Sequence, residues 1–372
     1  MNSRERLLKT LNHEEPDRVP VDLGGIVTGI TKVAHRRLRE HLGVEGREQI
    51  IDRIQQLVKP DEKILERLEV DTRYVYLRAS RDFQDKEFPV DVYEDEWGVR
   101  RKRVSFYYDI VHHPLKDATI QDLERMRWPD PHAVSRYEGI AEEVRYLHEN
   151  TDYAIILNAI GSIFEFSWYL RGYEQFMMDL LINRGFATSL MEKILQFQIG
   201  MFEEILDRVG DYVQVVLCGD DLAIQTGPAI SLNLYRKLVK PLQRQLFESM
   251  KKRTGAKLFY HSCGSVYQFI GDLVEIGIDI LNPIQVSAQD MDTKRLKKEF
   301  GKELTFWGGC DTQRVLPFGT PDEVKDEVKK RIDDLAEEGG FVLNSVHNIQ
   351  ADVPPENILA MFDMARDYGE YS

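Results

Sequence analysis

The chain is poor in several things at once. Its 372 residues hold only three cysteines. Cys218, Cys263 and Cys310 are too few and too scattered for a disulfide framework, so they read as free thiols or metal ligands. No run of about 18 apolar residues occurs, which argues against a membrane-spanning helix. The N-terminus, Met1-Asn-Ser-Arg-Glu-Arg-Leu-Leu-Lys, reads as the start of an amphipathic helix and not as a secretion signal, so the expected compartment is the cytoplasm. Basic excess is missing too. With 49 Lys and Arg against 63 Asp and Glu the net charge is −14, which argues against non-specific nucleic-acid binding. There is no Walker A loop, GxGxxG, nucleophile elbow or HExxH. There is no Gly/Ser linker, low-complexity tract or short repeat either.

What is present is a series of short apolar, β-rich runs. They fall at Arg18–Leu23, Thr72–Leu77, Tyr153–Asn158, Val213–Leu217, Lys257–Tyr260, Asp279–Leu281, Leu304–Trp307 and Phe341–Asn344. Several lack alternation, as strands buried on both faces of a parallel sheet do. Helical patterns intervene. Ser231–Lys252 begins with a Ser cap, and Val266–Ile276 ends at Gly277. Pro321–Glu338 follows a Thr320 cap, and Pro355–Tyr368 follows the last strand. Eight β-then-α units predict one α/β domain over residues 1–372, a (β/α)8 TIM barrel, with a doubly wound sheet as the runner-up. The stretch Ala79–Thr151 is too long for one crossover. It predicts an insertion between the second and third strands, over or beside the barrel, with a hairpin around Tyr93-Glu-Asp-Glu-Trp97-Gly98.

In such a barrel the chemistry sits where strands end. That rule gathers Asp22, Ser162, Asp220, Asp221, His261, Cys263, Asn282, Cys310, Asp311 and His347 at one mouth. The sharpest signal is Lys257-Leu-Phe-Tyr-His261-Ser-Cys263-Gly264, a strand ending in His-x-Cys. Residues two apart in extended chain point the same way, so both side chains can reach one soft metal ion such as zinc. The bland alternative is a structural histidine beside a buried thiol. Cys310 and His347 both qualify as the third ligand. Of the adjacent acids Asp220 and Asp221, only one can aim inward, while the other caps a helix. The inward one is a base, a ligand or a substrate anchor. Phe164, Trp168 and Tyr260 are read as pocket walls, with ordinary packing as the alternative for the first two.

These residues carry a resemblance. Arg4–Leu11 with Pro16-Asp-Arg-Val-Pro20, Glu94-Asp-Glu-Trp97-Gly98, Gly161-Ser-Ile-Phe-Glu165, Gly219-Asp220-Asp221, His261-Ser-Cys263-Gly264, Gly308-Gly-Cys310-Asp311 and Val353-Pro-Pro-Glu-Asn357 together resemble the uroporphyrinogen decarboxylase superfamily. That superfamily includes cobalamin-dependent methyltransferases. The decarboxylases hold substrate propionates on an arginine-rich loop after the first strand. Here the loop reads Asp22-Leu-Gly-Gly-Ile-Val-Thr28-Gly29 and has no arginine, so a polyanionic substrate loses its clamp. The methyltransferase branch holds zinc with His-x-Cys plus a later cysteine. His261 and Cys263 match the pair, and the later cysteine falls on His347.

The resemblance therefore implies zinc and a corrinoid carried on a separate partner protein, because no DxHxxG-type corrinoid loop occurs here. The implied partner substrate is a small methyl ether, a methylated amine or a thiol, and a homodimer is allowed. Asp220, Asp221 and His347 are the expected catalytic residues. Asp22, Ser162, Phe164, Trp168, Tyr260 and Asn282 are expected to bind substrate. Two rivals stand beside this expectation: a metal-free decarboxylase-like enzyme, and a non-catalytic barrel that binds a corrinoid or tetrapyrrole.

Overall fold

A computed structural model describes residues 1–159 and 161–371 of the chain. Seven parallel strands lie in the order Phe341–Val342, Thr305–Trp307, Ile280–Asn282, Lys257–His261, Val215–Gly219, Ala154–Asn158 and Thr72–Tyr76. The two edges are joined by the segment around Val21. Val21 bridges Leu343 in parallel. The Asp22 N–H donates to the Leu343 carbonyl, and the Asp71 N–H donates to the Val21 carbonyl, each at 3.0 Å. The sheet is thus closed into an eight-stranded (β/α)8 barrel, and each strand falls where the apolar runs predict it.

The first strand is barely regular because charge anchors it more than its ladder does. The buried Asp71 carboxylate accepts from Arg6 at 2.7 Å, Arg18 at 2.8 Å and the Val21 N–H at 2.9 Å. The N-terminal helix Ser3–Leu11 starts in a capping box between Asn2 and Glu5. Its Leu7 and Leu11 close the end of the barrel where the strands begin, packing with Ala154, Val215 and other lumen residues.

Strand parity then divides the core into two layers. Tyr74, Ile156, Leu217, Phe259, Ile280, Trp307 and Val342 fill the lumen. Their neighbours Val75, Leu157, Val216, Tyr260, Leu281, Phe306 and Phe341 face the helices. This two-sided burial is why the runs are continuous and not alternating.

The predicted single helix Ser231–Lys252 is broken. A π-helical turn at Tyr235–Val239 separates Leu232–Leu234 from Lys240–Lys251. Pro241 lacks an N–H and crowds the preceding turn, so the ladder shifts there. The insertion holds a four-stranded antiparallel sheet, Lys86–Phe88, Val92–Glu94, Arg100–Val104 and Tyr107–His112, not a lone hairpin. It leans over the mouth. The Tyr107 hydroxyl bonds Gln350 in the loop after the last strand, and the Tyr108 N–H reaches the Ile54 carbonyl at 3.0 Å. His113 Nδ1 lies 2.8 Å from the Tyr169 carbonyl. No described helix is long and apolar enough to cross a membrane.

Candidate metal centre

The parity that puts Phe259 in the lumen puts His261 there as well, at the mouth. Cys263, two residues on, follows it. His347 arrives on the loop after the last strand. One donor atom from each of His261, Cys263 and His347 lies within 4.8 Å of the other two. The Cys263 Sγ to His261 Nε2 separation is 3.4 Å. Two such atoms on one tetrahedral zinc ion would be about 3.6 Å apart, given ordinary Zn–S and Zn–N bond lengths. The two imidazoles meet edge to face with centroids 5.4 Å apart. This donor set fits zinc.

His261 is held in the tautomer that coordination needs. Asn282 Nδ2 donates to the Trp307 carbonyl at 3.0 Å, which aims Asn282 Oδ1 at His261 Nδ1, 2.6 Å away. An acceptor there requires the proton on Nδ1, so the Nε2 lone pair is left facing Cys263. Burial lowers the pKa of His261 to about 4. Burial, with His261 as a second cause, does the same to His347. Both rings are therefore neutral donors at neutral pH. The Cys263 thiol is pushed up by burial and by the Asp221 and Glu165 carboxylates, so without a metal it keeps its proton.

Asp220 and Asp221 divide as adjacent residues on a strand end must. Asp221 faces the site. Its Oδ1 accepts the Cys263 N–H at 2.7 Å and lies 4.0 Å from His261 Nε2. Asp220 turns away and is fully engaged. It accepts from the Ser162 hydroxyl, the N–H groups of Ile163 and Glu165, and the Gln243 amide, all within 3.1 Å. Asp220 thus caps the helix Phe164–Arg171 from the neighbouring strand. The catalytic role expected of it, and the substrate role expected of Ser162, give way to that capping network.

Several further expectations are corrected. Cys310 does not join the ligands. It follows Gly308 and Gly309, whose positive φ ends the strand's alternation, and it is fully buried in the layer between strands and helices. Tyr260 and Phe164 are in that same layer, Tyr260 bonded to Gln243 and Phe164 packed on Phe176. Trp168 leans edge-on against Tyr169 and Tyr173. Asp22 is sealed inside the lumen. It accepts from Tyr74, Trp307 and Asn344 at 2.9–3.0 Å, and from Thr72. Asn282 serves His261 and not a substrate.

Glu165 was not singled out by the sequence reading. Its carboxyl borders the site and accepts from the Tyr169 hydroxyl one turn along the same helix. Burial first, and then the Asp221 carboxylate, raise it to about 8. The available signal was a lone glutamate inside the aromatic run Phe164–Tyr169, four residues before a tyrosine.

The wall across from this cluster is the loop that follows the first strand. Ile26 and Val27 are buried with the lumen residues. The loop is stitched to the segment carrying His347. The Gly29 N–H donates to Asn348 Oδ1 at 2.7 Å, and Asn348 Nδ2 donates to the Ile26 carbonyl at 2.8 Å.

With this geometry established, comparison with known proteins is informative. A family model described as uroporphyrinogen decarboxylase (URO-D) matches residues 109–368. The uroporphyrinogen decarboxylase of Chlorobium limicola is 23% identical over 195 residues, 50% of this chain and 53% of that protein. The match thus spans about half the length of that relative. The uroporphyrinogen decarboxylase of Chloroherpeton thalassium is 22% identical over 267 residues, 69% of this chain and 71% of that one. Among solved structures, a methyltransferase from Methanosarcina mazei superimposes with a TM-score of 0.68 at 16% identity, covering 99% of both chains. At that identity the likeness is one of fold.

Proposed function

The chain belongs to the uroporphyrinogen decarboxylase family, and within it we propose a zinc-dependent methyltransferase that moves a methyl group between a small substrate and a corrinoid on a partner protein. The observation that carries this reading is the convergence of His261, Cys263 and His347 at the mouth of the barrel. The full-length fold likeness to a methyltransferase supports it.

A zinc ion held by these three residues would supply a Lewis acid that lowers the pKa of a bound thiol or polarises the heteroatom bearing the methyl group. The chain's own residues prepare for that role. Asn282 fixes the His261 tautomer. The two imidazoles stay neutral, and Asp221 holds the Cys263 backbone in place. Two imidazoles and one thiolate carry one negative charge fewer than one imidazole and two thiolates, so the site is the more electrophilic of the two arrangements. That favours demethylation of a small methylated ether or amine over activation of a thiol.

The names of the curated relatives favour a second reading, a metal-free decarboxylase. The loop after the first strand stands against it, since residues 22–29 present Ile26 and Val27 where an arginine clamp would be needed. Elemental analysis of protein purified without added metal separates the two. About one zinc per chain is expected, lost in Cys263→Ser and His347→Ala. Metal-free protein, fresh and reduced, would overturn the zinc reading and return the search to decarboxylation.

A further inference from the structure

Three successive N–H groups at the Cys263 turn donate to acceptors other than its sulfur. The Cys263 N–H goes to Asp221 Oδ1 at 2.7 Å, the Gly264 N–H to Gln285 Oε1 at 2.7 Å, and the Ser265 N–H to the Ile224 carbonyl at 2.9 Å. Among the described residues the one hydrogen-bonding atom beside the sulfur is His261 Nε2, which offers a lone pair and no proton. Gln285 is buried and belongs to a relay of amides. Its Nε2 donates to Gln225 Oε1 at 2.7 Å, and Gln225 donates in turn to the Ser287 carbonyl. A backbone donor at one end and a backbone acceptor at the other fix the sense of the relay, so the Gln285 carbonyl stays on Gly264. The hairpin that supplies Ile224 presses on the same turn. Gly264 has a φ of 87°, and a Cβ there would stand 2.7 Å from the Ile224 carbonyl oxygen.

From this arrangement we infer that Gln285 is a positioning residue that reserves the Cys263 sulfur for the metal ion by holding the Gly264 N–H away from it. The inference rests on the zinc reading above and deepens it. A ligating cysteine binds as the thiolate and a ligating histidine as the neutral ring. Cys263 therefore brings the one negative charge among the three ligands, and the ion has no second sulfur to draw on. An N–H that donates to a metal-bound thiolate pulls charge out of the metal–sulfur bond, which is how hydrogen bonds to cysteine sulfurs tune metal centres. A buried N–H that loses its acceptor is costly to leave unmade. Without the Gln285 carbonyl, the Gly264 N–H is left with the adjacent thiolate as its acceptor. Gln285 touches neither the ion nor a substrate and acts only through that N–H.

The test needs no turnover. Wild type, Gln285→Met and Gln285→Glu are loaded with Co(II) in place of zinc, and the energy of the sulfur-to-cobalt absorption band is read. Methionine matches the length of glutamine but accepts nothing from Gly264, so the N–H turns to the sulfur, lowers the energy of its electrons and moves the band to higher energy. Glutamate keeps the accepting oxygen, and the exposed Gln225 can turn its own amide to meet it. Gln285→Glu should therefore show no such shift, a rescue that loosened packing alone would not produce. A band at one energy in all three proteins, or moved to higher energy by both substitutions, would overturn the role of Gln285 while leaving the metal site standing. Failure of the wild type to hold Co(II) or zinc would instead sink the zinc reading. If Gln285→Met does not fold or load, the wild type decides. It is filled with an NMR-active cadmium isotope and carries isotope-labelled glycine and serine. Cadmium bound without coupling to the Gly264 or Ser265 N–H is the expected result, and coupling to either would reveal an N–H donating to the sulfur and overturn the inference.

Discussion

Asn282 Oδ1 lies 2.6 Å from His261 Nδ1, and its amide nitrogen is tied to the Trp307 carbonyl. An asparagine whose flip is forbidden by a backbone acceptor dictates the protonation of a histidine on the adjacent strand. Asn282→Ala removes that control while leaving all three ligands in place. Zinc affinity should fall about 10- to 100-fold, as when other partners that orient metal-bound histidines are lost. Competition against a chromophoric chelator measures this. An unchanged affinity would mean that the lumen alone orients the ring.

The two cysteines Cys263 and Cys310 should respond oppositely to the same substitution. Cys263→Ser should lose zinc and change the stability of the metal-free protein little, because its side chain borders the mouth. Cys310→Ser should keep zinc and lose about 1–3 kcal/mol in denaturant unfolding, because a hydroxyl replaces a thiol in a fully buried apolar layer. Loss of zinc in Cys310→Ser would return Cys310 to the ligand set.

That contrast shows where the sequence is legible and where it is not. The strands are plain in it, because barrel strands buried on both faces become continuous apolar runs. The same continuity hides which face each residue takes. His-x-Cys survives as a motif because its spacing keeps the two residues in phase. Once His261 is placed in the lumen, Tyr260 must face the helices, but the turn through Gly308 and Gly309 ends the alternation before Cys310. Parity along the strand would have removed Tyr260, whereas the placement of Cys310 is set by a turn that parity does not reach. The capping of Phe164–Arg171 by Asp220 and the approach of Glu165 to Asp221 are different. Both join segments more than 50 residues apart through loops, and no local pattern announces them. The sheet of the insertion was likewise hidden by its charged, exposed strands.

Acid should unfold the metal-free protein in a defined window. His35, His261 and His347 all have folded pKa values lowered from 6.5 to about 4, with burial the largest cause each time. Above pH 6.5 each is neutral in both states and costs nothing. Between 6.5 and 4 the unfolded chain takes up protons that the folded one refuses, so stability falls as pH falls, by up to about 3 kcal/mol per group. His35 is distinct because its Nε2 accepts the Asp61 N–H at 3.2 Å. His35→Gln keeps an acceptor there and should flatten the pH dependence by one proton. Saturating zinc should flatten it further by holding the other two rings neutral. Glu165, raised to about 8, titrates in the opposite sense over the same range, so the readout is the difference in denaturant midpoint between wild type and His35→Gln from pH 7 to 4.5, and a difference that does not change with pH would contradict it.

Asp220 should prove structural in a measurable way. Asp220→Ala leaves the N–H groups of Ile163 and Glu165, the Ser162 hydroxyl and the Gln243 amide without their shared acceptor. A loss of about 3 kcal/mol or more is expected from breaking a buried network of this size. Asp220→Asn keeps the shape and part of the accepting capacity, and should cost less. Zinc content should survive in both folded variants, since neither substitution touches a ligand. Zinc loss in a well-folded Asp220→Asn protein would assign Asp220 to the metal site after all.

Gly219 offers the most direct check on the placement of His261. The two residues are register partners on adjacent strands, and a Cβ on Gly219 would stand 2.4 Å from the His261 carbonyl oxygen and 2.8 Å from its Cβ. Both atoms belong to the relatively stiff part of the neighbouring strand, so the clash cannot be relieved by swinging a side chain. Gly219→Ala should therefore cost about 1–3 kcal/mol as overpacking. It should also weaken zinc binding by pushing His261 away from Cys263. Gly255→Ala, where an added Cβ meets nothing within 4 Å, is the control and should change neither quantity. If Gly219→Ala matched the control in both unfolding midpoint and zinc affinity, the strand ends would not be packed as described, and the convergence of His261, Cys263 and His347 would lose its structural basis.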